Sequence, residues 1–436
     1  MLKLIIPNVH ELYQTEGYQI NQEDAIARLF YNLRFLWLVE PGDVILLPEL
    51  PTNEFISYLA RLKQMDPDSL TIVTWRGELN AIFSDVLDDP LLINQLKKIT
   101  SLSTSWSIHT CYFNQAVLKL ADKLNIFLSP KWRILVKNDF IKQINSKVKF
   151  RTIALNHKLP LPHGQVCTTS ACLKQAIQSL LKMTGQVIVK QDYNGGGRGN
   201  IGITIHSSAT FAGVTKTIII NNGQSVDELA NQIWQNYVYD LNYQLIAEVY
   251  YPNTGTFTAM LWIPALGQTP RLLHYSEIRM ESTWVGVQIP AHSLSPENVD
   301  TLKNTSMQLA YIVQKSGYHG FLCCDAIRTC SNQILFTEMN VRPGAETHAH
   351  VLAAKLFGSD YPNHTTLLTR KGIHIASFAH VHQLLQKHGL LLKPHCQSGV
   401  ALLTIDDRYS KQAEYLVAAP DLVSAYALES RLLQLL

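Results

Sequence analysis

The chain has 436 residues, 47% hydrophobic and 16% charged, with a formal net charge of +3. That length exceeds one small core and allows two or three domains, and the composition excludes a largely disordered chain. The small net charge gives no footprint for nucleic acid, while anionic small molecules stay open as partners.

Seven cysteines, in no zinc-like spacing, read as reduced, mostly buried thiols of a cytoplasmic protein. The N-terminus lacks the apolar core of a signal peptide, and no run approaches the ~20 apolar residues of a spanning helix. The expectation is a cytoplasmic chain with no membrane partner; its oligomeric state is left open.

From residue 1 to about 130, short apolar runs alternate with helical patterns. Residues 43–47 (DVILL) are strand-like and end at the turn Pro48-Glu49-Leu50-Pro51. From Asn53 a helix places Phe55, Leu59 and Leu62 on one face, and 69–74 is strand-like again. A second unit passes through Ser107-Ile108, a helix over 115–124 and Ile126-Phe127. This alternation predicts an α/β layer on a mainly parallel sheet.

Pro130 opens a different region. A helical pattern over 141–155 is stopped by Pro160-Leu161-Pro162. Strands are expected over 186–190, 201–205 and 244–250, and a helix over 226–237. Ser295-Pro296 is a strong helix start, with Leu302, Ser306, Leu309, Ala310 and Val313 on one face and Gly317 past the end. Strands over 320–327 and 333–340 flank a short turn. The stretch 371–436 reads as a small α/β tail: a helix near 380–388, a strand near 400–405 and a helix from Asp421.

The most informative loop is Lys190-Gln191-Asp192-Tyr193-Asn194-Gly195-Gly196-Gly197-Arg198-Gly199-Asn200. Gly197, Gly199 and Gly202 match GxGxxG, but a dinucleotide fingerprint must open a helix. Here Ile201, Ile203 and Ile205 alternate with Gly202, Thr204 and His206, which is the period of a strand. The loop is therefore a hairpin. Its backbone N–H groups can cradle phosphate, with Lys190 as a point charge beside them. The competing reading is an ordinary turn.

The second stretch pairs Asp325 with the run Glu338-Met339-Asn340-Val341-Arg342. Glu338 and Asn340 are two apart on a strand and share a face, Asp325 can join them from the neighbouring strand, and Arg342 follows on the same side. Two carboxylates and an amide oxygen make a hard oxygen site suited to magnesium. The competing reading is a solvated face or a structural Glu–Arg pair. The apolar flanks argue for buried charges that need partners.

Lysine, glycine hairpin, aspartate strand and Glu-x-Asn-x-Arg, in this order, resemble the ATP-grasp superfamily over roughly 130–370. The resemblance implies a two-lobed α+β fold with a lid at about 150–250. Lys190 is similar to the lysine beside the phosphate loop. Ser146-Lys147, ahead of a Pro-rich turn at 159–164, resembles the other ATP-binding lysine, with Lys142 and Lys149 as competitors. Glu248, Val249 and Tyr250 resemble the adenine hinge, and Gly195, Gly196, Gly197, Arg198 and Gly199 the phosphate loop. Asp325, Glu338 and Asn340 resemble the Mg2+ ligands, with Mn2+ as a substitute, and Arg342 the arginine at the reacting phosphate. Residues 1–130 resemble the pre-ATP-grasp domain of peptide ligases of the pheganomycin type, as do residues 284–290. The tail at 371–436 stands outside both resemblances.

The resemblance implies ATP-dependent joining of a small-molecule carboxylate to an amine through an acyl phosphate, in peptide or other natural-product synthesis. The alternatives are a carboxylase or purine-pathway ligase, or a nucleotide-binding module without turnover. Tyr275, Glu277 and Arg279 fall where a substrate-facing strand is expected, and Arg279 can grip a carboxylate with both arms. His348 and His350, and His380 and His382, lack a third ligand at a metal-like spacing.

Overall fold

The computed structural model describes all residues except 10, 12–21, 76–82, 87–88, 104, 194–195, 198, 221–224, 239–242 and 282. Among the described residues the strands form three sheets. The first holds β1 (Leu2–Ile6), β2 (Val44–Leu47), β3 (Thr71–Thr74) and β4 (Trp106–Thr110), all parallel, in the order β3-β2-β1-β4. Every residue of β2 is buried, as a strand covered on both faces requires.

The second sheet holds β5 (Gly164–Cys167), β6 (Gln186–Gln191), β7 (Asn200–Thr204), β8 (Lys216–Ile219) and β9 (Leu245–Val249), in the order β5-β9-β6-β7-β8. The glycine segment joins β6 to β7 as an antiparallel hairpin, with Val187 opposite Ile203 and Val189 opposite Ile201. Its core, including Ile177, Val187, Ile203, Ile233 and Ala247, is separate from the rest of the chain.

The third sheet has eight strands: β10 (Asn253–Ile263), β11 (Arg271–Met280), β12 (Trp284–Ile289), β13 (Gly320–Thr329), β14 (Ile334–Asn340), β15 (Thr366–His374), β16 (Gly399–Asp406) and β17 (Gln412–Ala419). Their order is β14-β13-β10-β11-β12-β15-β17-β16. The strands of the C-terminal stretch thus extend the sheet that carries the acidic pair. They also reach the N-terminal layer. Leu4 and Ile6 of β1 join a core with Phe257 and Leu322, while Ile5 between them joins Trp37, Phe55, Val400 and Tyr415. The period-two alternation of one strand therefore ties both ends of the chain to the large sheet.

The pattern expected as one helix over 141–155 is two helices, Phe140–Ile144 and Lys147–Asn156. Apolar spacing runs through the break, but Ser146 leaves the helical conformation and caps the second helix, accepting from Lys149 N at 3.0 Å. All seven cysteines are unpaired; Cys330 and Cys396 are exposed. Among the described residues no helix is long and apolar enough to cross a membrane.

Candidate active site

A cavity of about 360 Å³ opens where the three sheets approach one another, within the range of roughly 300–1,000 Å³ usual for small-molecule sites. The acidic pair forms one side. In the β13–β14 register Asp325 stands opposite Glu338 and Cys323 opposite Asn340, with an irregularity just after Asp325. The turn between the strands closes as expected: Asn332 takes a left-handed φ of 63° and its N–H donates to Thr329 O at 2.9 Å.

Asn340 Nδ2 donates to Asp325 Oδ2 at 3.2 Å, and Arg342 Nη2 donates to Asn340 Oδ1 at 3.0 Å. Lys147 Nζ lies 3.1 Å from Glu338 Oε2. Burial opposes charge on Glu338, but the Lys147 ammonium, a hydrogen bond from Asp325 and the Lys190 charge hold its carboxyl down at about 2. Asp325 moves the other way: burial and then the Glu338 charge push it well above the usual carboxylate range. Two carboxylates this close ionise together only at a cost, and a divalent cation between them removes the conflict. The donor set therefore fits Mg2+, although the Asn340 oxygen accepts from Arg342 and must turn to join it.

The hairpin lies on the opposite side. Gly196, Gly197 and Gly199 have φ of 66°, 83° and 76°, a region that costs any residue with a Cβ. A Cβ at Gly197 would also meet Gly213 O at 2.9 Å. Gly196 and Gly197 line the cavity. Gly195 and Arg198 lie outside the described residues. Lys190 Nζ reaches the cavity and sits 2.6 Å from Glu248 Oε2. Of the three competing lysines, Lys147 is buried and lines the cavity, while Lys142 and Lys149 are exposed and do not.

Residues 32–126 match the family model described as the pre ATP-grasp domain. Comparison in sequence with curated proteins gives no match. In structure the whole chain is similar to an N5-carboxyaminoimidazole synthetase from Staphylococcus aureus with ADP, at 12% identity, 99% and 97% coverage of the two chains and a TM-score of 0.55. It is also similar to a biotin carboxylase from Campylobacter jejuni in an ATP complex, at 14% identity, 99% and 90% coverage and a TM-score of 0.57. The N5-carboxyaminoimidazole synthase of Aspergillus clavatus, with ADP and 5-aminoimidazole ribonucleotide, gives 11% identity, 100% and 98% coverage and 0.53. This chain has the ATP-grasp fold.

Glu248, Val249 and Tyr250 all line the cavity. The N–H groups of Val249 and Tyr250 donate inside the protein, to His163 O at 2.8 Å and Gln186 O at 3.0 Å. The Glu248 carboxylate is held by Arg151 Nη1 at 2.7 Å and by Lys190. Val249 and Tyr250, with Ile188 of β6, add apolar side chains to the cavity lining, as do Met280 and Ile327 of the large sheet. The Phe211 ring packs on Tyr250 at 4.4 Å, and the Tyr250 hydroxyl accepts from Ala212 N at 2.9 Å.

Arg279 is not brought to the cavity. It does grip a carboxylate with both arms, but that carboxylate is Glu429, at 2.6 and 2.9 Å. The reason is the tail: from β11, opposite Gly286 of β12, Arg279 reaches Thr369 O of β15 at 3.1 Å and Glu429 on the helix Leu422–Leu433, which packs on β15 and β17. Glu277 accepts from Ser293 Oγ at 2.7 Å. His348 Nε2 lies 3.2 Å from buried Glu414, His350 meets the Tyr361 hydroxyl at 3.1 Å, and His382 stacks on Phe378.

Sequence reasoning missed Arg151 and Asp192. Arg151 lies four residues after Lys147 and so on the same helix face, a signal that was available. Asp192 accepts from Ser146 Oγ at 2.8 Å and Val148 N at 3.0 Å, tying the hairpin strand to the start of the Lys147 helix. It also missed Arg34, Tyr31 and Lys371, because the three come from the two ends of the chain and meet only in the fold.

Proposed function

We propose that this chain is an ATP-dependent ligase that activates a carboxylate as an acyl phosphate and joins it to an amine, releasing ADP and phosphate. The observation that carries this reading is the convergence of Lys147, Lys190, Asp325, Glu338 and Arg342 on one cavity beside a glycine hairpin. The solved structures of the same fold with ADP or ATP support it.

The apolar side chains Ile188, Val249, Tyr250 and Ile327 that line the cavity suit a purine, and the hairpin N–H groups with Lys190 suit phosphate oxygens. A carboxylate oxygen of the acid attacks the γ-phosphorus and ADP leaves. The amine nitrogen then attacks the acyl carbon, inorganic phosphate leaves, and the nitrogen gives up its proton. Asp325 and Glu338 would hold Mg2+, which neutralises charge on the phosphate oxygens. Lys147 and Arg342 already line the cavity before the reaction, so they can stabilise growing charge with little reorganisation. The sheet that bears the hairpin covers the cavity and keeps water from the activated acid.

The aromatic and apolar end of the cavity, with Tyr31, Phe35, Leu38 and Trp284, supports an organic or peptidic acid, as in peptide or other natural-product synthesis. A second reading, bicarbonate as the acid, is favoured by the carboxylases among the solved structures. ADP release from the purified chain is measured with amino acids singly and in pairs and with bicarbonate alone. Turnover that needs an organic acid and an amine supports the first reading; turnover with bicarbonate and no organic acid sinks it.

A further inference from the structure

The acidic pair occupies only one end of the cavity. The large sheet carries the cavity across β13, β10, β11, β12 and β15, four strand spacings or about 19 Å along the sheet. At the far end Lys371 of β15 meets Tyr31 of the helix Gln22–Asn32 and Trp284, the first residue of β12. Its ammonium donates to the Tyr31 hydroxyl at 2.8 Å and lies 5.1 and 5.2 Å from the Tyr31 and Trp284 ring centroids. Arg34 lies over the same two rings at 4.8 and 5.2 Å.

The backbone is shaped to deliver this lysine. Arg370 pairs with Tyr415 and Ile373 with Ala413, so Lys371 and Gly372 together oppose the single residue Glu414. That is a β-bulge, which re-aims a side chain out of the strand's alternation. Gly372 takes a φ of 75° with open space around it, so the left-handed backbone and not crowding calls for glycine.

Glu346 lines the same cavity and feels the Arg34 charge, but burial pushes its carboxyl up toward the neutral form. Arg34 is spent on Glu414, through Nε at 2.9 Å and Nη2 at 3.0 Å. Among the described residues Lys371 has no carboxylate partner. One uncompensated cation held by an aromatic hydroxyl, with Arg34 behind it, repels an amine and matches a monoanion.

We infer that this end is a subsite for a substrate carboxylate, remote from the reacting one, held by Lys371 between Tyr31 and Trp284. The inference rests on the ligase reading for its reaction but not for its binding. The carboxylate has two sources: a second acidic group of the activated acid, or the amino acid that supplies the amine.

The test uses matched pairs with the full chain: amino acids against their carboxamides, and Glu-containing dipeptides against their Gln counterparts. Each is read by ADP release and, separately, by thermal shift without nucleotide. The variant is Lys371→Met, which keeps the stem against both rings; Tyr31→Phe is the milder second variant. The expected result is that charged members are preferred at least about tenfold in KM. Lys371→Met removes that preference by raising KM about 10–100-fold, with kcat and Tm little changed, the scale of one charge-assisted hydrogen bond. Dependence on the amide pairs assigns the amine substrate, and on the Glu/Gln pairs the acid.

Neutral members that serve as well as charged ones overturn the subsite. So does a variant that moves only Tm, the absence of any shift or turnover with every pair, or a Lys371-dependent preference for phosphoserine over glutamate. AMP as the nucleotide product would sink the ligase reading, and the thermal-shift arm would still judge this one.

Discussion

Asp325 and Glu338 stand in direct register on adjacent antiparallel strands, and Lys147 Nζ lies 3.1 Å from Glu338 Oε2. The pair is therefore unequal: Glu338 carries the charge and Asp325 is driven toward its neutral form. Replacing either with alanine should lower turnover by about 10²–10³-fold or more, since each removes a carboxyl oxygen donor that would hold the cation on the phosphate side. The stabilities should then part. Asp325→Asn relieves a like-charge conflict and should leave Tm unchanged or raised. Glu338→Ala leaves the Lys147 ammonium buried without its carboxylate and should cost about 1–3 kcal/mol. Wild-type activity in either variant at ordinary magnesium would remove the pair from the phosphate site.

The nucleotide product is a second test. Attack on the γ-phosphorus releases ADP, whereas adenylation of the acid would release AMP and pyrophosphate. Chromatography of the nucleotides formed with an active substrate pair should find ADP in step with amide product. AMP alone would refute the acyl-phosphate route.

The acidic face was legible because strands have a fixed period: Glu338 and Asn340 must share a side, and a short turn must set Asp325 beside them. The hairpin was legible for the same reason, since Ile201, Ile203 and Ile205 alternate where a dinucleotide motif needs a helix. The break at Ser146 was hidden because apolar spacing continues across it. Arg279 was misread because its partner, Glu429, lies 150 residues away on a helix whose packing no local pattern reveals. The same blindness hid Tyr31 and Lys371, 340 residues apart in sequence and joined by one hydrogen bond.

Glu414 should govern part of the acid stability. It is buried, which alone would raise its pKa, but the Arg34 guanidinium and His348 beside it bring its carboxyl down to about 2 from an ordinary 4.5. A depressed carboxyl contributes stability above its unfolded pKa and loses it as pH falls toward the folded one. Glu414→Gln should therefore destabilise at neutral pH by about 3–5 kcal/mol, because Arg34 is left buried and unpaired. The gap between variant and wild type should narrow between pH 4.5 and about 2. Urea melts across that range check it; a gap independent of pH would mean that packing, not charge, explains the loss.

Arg342 separates catalysis from architecture. Its guanidinium donates to Asn340 Oδ1 at 3.0 Å and to Pro343 O at 3.1 Å, at the cavity wall, and its charge also acts on buried Glu346. From there it can donate two parallel bonds to oxygens whose charge grows during phosphoryl transfer and in the tetrahedral intermediate. Such bonds are stronger in the transition state than in the ground state, so Arg342→Ala should lower kcat by about 10²–10³-fold while ATP affinity changes little. Arg342→Lys keeps the charge but not the fork, and should recover only part of the rate. If Arg342 serves instead to hold Asn340 and the strand end, Arg342→Ala should lower Tm and leave kcat near normal in the folded fraction. Melting temperature, ATP affinity and kcat measured on one preparation decide between the two: a large loss of stability with preserved kcat takes Arg342 out of the reaction.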